Sequence, residues 1–75
     1  MARLLEELAA RPALPSPRTA RAIRLAAGVT QDRLAAELGV HRATVERWEN
    51  GSRTPQRRHR DLYAALLIEL QQVAR

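Results

Sequence analysis

The sequence predicts an all-α fold, a bundle of about five helices, and three observations lead there. Residues 30 to 50 read as two short amphipathic helices joined by a turn at Gly39. Proline and glycine stand between the periodic segments, where helices start and stop, at Ser16-Pro17, Gly28, Gly39 and Gly51. The segment from Asp61 to Ala74 contains neither residue and carries apolar side chains at helical spacing.

In chain order, residues 2 to 11 predict a short helix with Leu4, Leu5 and Leu8 on one side. A helix this short does not hold alone in water, so it must dock, either on the core of its own chain or on a second subunit. Residues 12 to 17, PALPSP, cannot continue it and form a stiff, extended connector. Ser16 caps the next helix with Pro17 at its first position. That helix runs to about Ala27 and stops at Gly28, with Ala20, Ile23 and Ala27 inward and Arg24 beside that stripe. Val29 suits the apolar contact of a helix stop.

Thr30 caps the following helix, and Gln31 and Asp32 occupy its first turn, where free N–H groups favour polar and acidic side chains. Leu34, Ala35 and Leu38 face inward, and Ala35 is small where two helices must cross. Gly39 supplies a left-handed turn residue, and Val40 plugs the turn. His41 takes the next cap position, although histidine is a poor cap. On a wheel of about 100° per residue, Val45 and Trp48 face the core, and Glu49 lies near that side. Ala43, Glu46 and Arg47 point away, flanked by Arg42 and Thr44. A face of small and polar residues with two arginines is what a helix needs to approach base edges and bond to them. Trp48 could stack on a base, but its inward position makes it a core residue. Glu46 has a second reading, a surface pair with Arg42 four residues earlier.

Residues 50 to 55, NGSRTP, form a turn, after which Thr54 is expected to cap and Pro55 to open the last helix. Arg57, Arg58 and Arg60 in its first turns oppose the helix dipole, a locally unfavourable arrangement that bound phosphate would reward. Further on, Leu62, Tyr63, Leu66, Leu67, Leu70 and Val73 make a wide apolar face, with Ile68 off the main stripe. A second copy or the leucines of residues 2 to 11 would cover it.

Seventy-five residues make one small domain with a modest core, to which dimerisation would add. We divide it into 1–11, an N-terminal helix; 12–17, the connector; 18–60, the helical core; and 61–75, the C-terminal helix and candidate dimerisation element. Absent cysteine excludes disulfides and thiolate metal sites. No apolar run is long enough to span a membrane, and Glu6 and Glu7 interrupt the opening segment, so no secretory leader is expected and a cytoplasmic location follows. His41 and His59 lie on different elements without carboxylates at metal spacing, and Ser16 and Ser52 have no neighbouring base. Neither an enzyme nor a cofactor is expected. The net charge is +5, and every basic residue is arginine. Residues 16 to 60 hold ten arginines against four carboxylates, whereas the remainder is slightly acidic, so the charge gathers where a phosphate-binding surface would need it.

The ordered set Arg24, Thr30-Gln31, Leu34-Ala35, Leu38-Gly39-Val40, Arg42, Thr44-Val45, Trp48-Glu49-Asn50-Gly51 and Pro55 resembles the Cro and phage-repressor (XRE) helix-turn-helix family over residues 18 to 60. The resemblance implies a lambda-repressor-like bundle and a structural ion pair between Arg24 and Glu49. The chain departs from the family at its end, where one long helix replaces a loop and a further short helix.

The function expected is sequence-specific binding of double-stranded DNA by a transcriptional regulator, a repressor by preference. Arg42, Ala43, Glu46 and Arg47 are the expected base-contacting residues. Gln31, His41, Thr44, Asn50, Arg53 and Arg57 are the expected phosphate-contacting ones. A homodimer on an inverted-repeat operator is the expected assembly. Two alternatives stand beside it: an antitoxin-type regulator whose terminal helices hold a protein partner, and the DNA-binding component of a recombination or excision complex.

Overall fold

The computed structural model describes residues 12–74. The helix expected over residues 2 to 11, with Leu4, Leu5 and Leu8, lies outside the described residues. Those described form four helices, α1 (Pro17–Ala26), α2 (Gln31–Leu38), α3 (Arg42–Asn50) and α4 (Arg57–Val73). None of the four is long and apolar enough to cross a membrane.

Local chemistry sets most of the boundaries. The Ser16 hydroxyl accepts a hydrogen bond from the Thr19 amide, and Pro17 takes the first helical position, where its missing N–H costs nothing. At the other end of α1, Ala27 is the cap and Gly28 turns left-handed at φ 71°. The Gly28 amide then donates to Leu25 O and the Val29 amide to Arg24 O, the double closure of a Schellman stop. The Thr30 hydroxyl caps α2 by accepting from the Arg33 amide. The same pair of closing bonds ends α2, from Gly39 to Ala36 O and from Val40 to Ala35 O, around Gly39 at φ 68°. A Cβ at either glycine would meet open space, so the conformation alone selects glycine.

The last helix begins two residues later than the sequence predicts. Thr54 does not cap it and Pro55 does not open it: the cap position belongs to Gln56, whose backbone is extended at φ −71°, ψ 157° and whose side chain makes no capping bond. The cause lies in where Pro55 packs. Pro55 itself is half-buried and lines a small cavity of about 120 Å³ with Leu14, Pro17, Trp48 and Tyr63. It serves as a packing residue there instead of a helix start. From Arg57 onward α4 is continuous to Val73.

All four helices feed one core: Ala20 and Ile23 from α1, Leu34, Ala35 and Leu38 from α2, Val45 and Trp48 from α3, and Tyr63 and Leu67 from α4. Leu14 of the connector, Val29, Val40, Leu66 and Leu70 pack against it. The helix α2 packs on α3, with Ala35 buried, and α1 packs on both α3 and α4. Trp48 is central, its ring 5.0 Å from that of Tyr63 and 6.0 Å from that of His59, both tilted. These separations and tilts suit the ring quadrupoles.

Tyr63 is the chain's single tyrosine, and it is 2% exposed. Burial pushes its phenol up from 10.0 to about 12, with the Glu49 charge adding to the effect and Arg24 opposing it. The raised value makes this a stability contribution that is complete below pH 10 and is lost as pH rises toward 12. Within that window the unfolded phenol ionises while the folded one keeps its proton, at a cost of about 1.4 kcal/mol per pH unit. An ultraviolet titration of phenolate absorbance should therefore show its midpoint near that of unfolding in strong base. A midpoint at the ordinary tyrosine value in the folded protein would contradict this placement.

Candidate nucleic-acid interface

The helix α3 is held from behind. Val45 is fully buried, Trp48 is 5% exposed, and Glu49 is buried beside them. Glu49 is locked by three hydrogen bonds. Arg24 of α1 donates from Nε to Oε2 at 2.6 Å and from Nη2 to Oε1 at 2.9 Å, and Gln31 of α2 donates from Nε2 to Oε1 at 3.0 Å. The Arg24 Nη1 group also donates to Val29 O at 2.9 Å. The Arg24–Glu49 pair thus ties the end of α3 to α1, to the first residue of α2 and, through Arg24, to the α1–α2 turn. Burial favours the neutral form of Glu49. The hydrogen bonds from Arg24 and Gln31 and the charge of Arg24 outweigh it, and hold the carboxyl below its usual range.

The opposite side of α3 is free. Arg42, Ala43, Glu46 and Arg47 are exposed, and Thr44 is half-buried at the edge. His41 takes the cap position with an extended backbone and no side-chain capping bond. The surface partner of Arg42 is Asp32 of α2, at 4.0 Å, and not Glu46 of its own helix. Glu46 makes no ion pair among the described residues.

Two clefts flank this exposed side. One, of about 370 Å³, lies toward α2 and is lined by Arg21, Arg24, Thr30, Gln31, Asp32 and Arg42. The other, of about 410 Å³, lies toward the start of α4. It brings together His41, Thr44, Arg47 and Arg53, named as candidates from the sequence, with Arg58, whose basic helix start the sequence linked to phosphate, and with Gln56 and His59, which were not placed in the site. Asn50 and Arg57 are exposed and line neither cleft. Asn50 Oδ1 accepts from the Ser52 amide at 2.9 Å, which shapes the turn after α3. Gln31 is half-buried, with its amide nitrogen already engaged by Glu49.

Arg60 is not part of a phosphate-facing row with Arg57 and Arg58. Its Nη1 group donates to Pro12 O at 3.3 Å and to Asp61 Oδ1 at 3.0 Å, which fastens the connector to α4. No local signal could announce that contact, because its partners lie at opposite ends of the chain. The position of Arg58 had a signal, the basic first turn of the last helix. The late start of α4 turns that residue into the cleft.

Four helices with a short α2–turn–α3 unit, a buried Arg–Glu tie behind α3 and an arginine-lined exposed side in front define a helix-turn-helix DNA-binding domain. The helix-turn-helix family model matches residues 21–59, more than half of the chain. The chain belongs to the Cro and phage-repressor-type (XRE) helix-turn-helix family, a family of DNA-binding regulators. No curated protein and no solved structure matches it.

Proposed function

We propose that this protein is a sequence-specific double-stranded DNA-binding transcriptional regulator, a repressor, with α3 as the helix that enters the major groove. One observation carries the reading: α3 buries Val45, Trp48 and Glu49 and leaves Arg42, Ala43, Glu46 and Arg47 exposed together. An arginine can pair bidentately with guanine, Glu46 can accept from cytosine, and Ala43 can touch a thymine methyl. His41, Thr44 and Arg53, which line the cleft beside that helix, serve as phosphate contacts that set register without carrying sequence information, with Gln31, Asn50 and Arg57 as further contacts outside that cleft. Selection of bound duplexes from a random pool, followed by a footprint at the native locus, tests it. A defined motif over a promoter is the expected result, and binding without any sequence preference would overturn it. A footprint beside an attachment site would instead favour the recombination reading.

A cytoplasmic homodimer completes the proposal. One recognition helix reads few base pairs, and so small a domain contacts few phosphates. Leu62, Leu66, Leu70 and Val73 follow one another at i, i+4, i+8 and i+11 along α4. Leu66 and Leu70 are half-buried, and Leu62 and Val73 are exposed. That seam is suited to a two-fold helix pairing. Ile68, also exposed, falls on another side of α4. Two α3 helices related by the axis would meet inverted half-sites about 10 bp apart. Leu62→Glu should leave the fold intact, shift sedimentation toward monomer and remove cooperativity in DNA binding. A parent that sediments as a monomer at high concentration and gives a non-palindromic footprint would defeat the dimer. A stable complex with a different protein through this seam would favour the antitoxin-type reading.

A further inference from the structure

The described arginines divide into two groups. Arg24, Arg33, Arg42 and Arg60 each have a carboxylate within ion-pair distance: Glu49, Glu37, Asp32 and Asp61 respectively. The other six, Arg18, Arg21, Arg47, Arg53, Arg57 and Arg58, have none among the described residues, and three of these, Arg47, Arg53 and Arg58, line the cleft between α3 and the start of α4. No Asp or Glu lines that cleft. Like charges gathered in one concavity without a counter-ion raise its potential and concentrate anions there. Thr44, Gln56, His41 and His59 add further hydrogen-bonding groups to its walls.

The geometry also separates Arg47 from Arg42. Arg42 opens α3, where residues of a recognition helix meet base edges, and Asp32 steadies it from the side. Arg47 lies in the last turns of α3, and its carbonyl accepts from the Arg53 amide at 3.2 Å. That bond draws the loop after α3 against the helix, so the Arg53 and Arg47 side chains share one cleft. Arg58 reaches it from the other wall, on α4.

We propose that this cleft grips one phosphate of the DNA backbone beside α3, with Arg47 and Arg58 as opposing jaws and Arg53 at the loop. Arg47 is then a positioning residue, and base reading narrows to Arg42, Ala43 and Glu46. The inference rests on the DNA-binding reading and assigns a new role within it. Guanidinium groups suit the task because their planar forks bond two phosphate oxygens at once.

The test compares the intact protein with Arg47→Ala, Arg58→Ala and the double variant, on the selected duplex and on an unrelated one, over a range of salt. Both positions are on the surface, and thermal melts of the variants should match the parent. Each single change should weaken both duplexes by the same factor, on the order of tenfold. Each should also reduce the slope of log affinity against log salt, the double variant by about one in all, the share of one phosphate. The double variant should lose less than the product of the two, because both jaws hold the same phosphate. Arg47→Ala that lowers affinity only for the selected duplex would return Arg47 to base reading and overturn the proposal, as would Arg58→Ala that leaves affinity and slope unchanged. Inorganic phosphate provides a second arm. At ionic strength matched with chloride it should compete no better than chloride, and a saturable, Arg58-dependent inhibition would assign the cleft to a free oxyanion instead. A parent protein that binds neither duplex would defeat the DNA-binding reading itself, a result distinct from all of these.

Discussion

Arg24→Ala should remove about 3–5 kcal/mol of folding stability, the loss typical when one member of a buried ion pair is deleted. The side chains of Arg24 and Glu49 are only 7% and 2% exposed. Without the guanidinium, Glu49 keeps a single bond from Gln31, and its charge lies buried with too few donors. Val29 O loses its partner as well. In a domain of this size such a loss corresponds to more than about 10 °C in Tm. The effect depends on pH with a definite sign. Because the folded carboxyl lies below its ordinary value of 4.5, the pair's contribution is complete above that value and fades as pH falls through the folded one. The difference in Tm between parent and variant should therefore be widest at neutral pH and narrow in acid. An Arg24→Ala protein as stable as its parent at neutral pH would mean that the two side chains act independently.

Residues whose roles are set by near neighbours were legible in the sequence. Ser16, Pro17, Gly28, Thr30 and Gly39 start and stop helices through bonds that span a few residues, and the helices fall where those residues place them. Val45 and Trp48 follow from helical periodicity and are buried. The position of Glu49 near the buried side was legible as well, and the resemblance supplied Arg24 as its partner.

What escaped the sequence depends on the chain meeting itself at a distance. Pro55 has the composition of a helix start, yet it packs beside Leu14 and Trp48, and α4 opens at Arg57. Arg60 belongs to a basic run but fastens Pro12. Gln31 has the position of a phosphate contact, and its amide nitrogen serves Glu49. Arg58 and His59 join Arg47 only because the loop after α3 folds back upon it. Charge counting located the basic region. It could not divide the arginines into those neutralised by a carboxylate and those left to an external anion, which is a matter of tertiary geometry.

Arg42→Ala should have the largest effect on sequence discrimination. The Arg42 side chain is 58% exposed, and its Nε lies 4.0 Å from Asp32. An ion pair at that distance and exposure contributes little to folding, so the variant's Tm should stay within about a degree or two of the parent. Its effect on DNA is another matter. A bidentate contact with the wrong or absent partner changes discrimination by about 1–3 kcal/mol, roughly fivefold to over a hundredfold in relative affinity. Competition assays at fixed salt, with the selected duplex and single-base variants of it, should show the loss confined to one base pair per half-site. At that position the variant should tolerate substitutions that the parent rejects, while non-specific affinity changes little. Ala43 and Glu46 occupy the same exposed side, so changes there should relax neighbouring positions without altering the one assigned to Arg42. If Arg42→Ala weakens every duplex alike, its guanidinium is holding a phosphate. Recognition would then depend on Ala43, Glu46 and the deformability of the site.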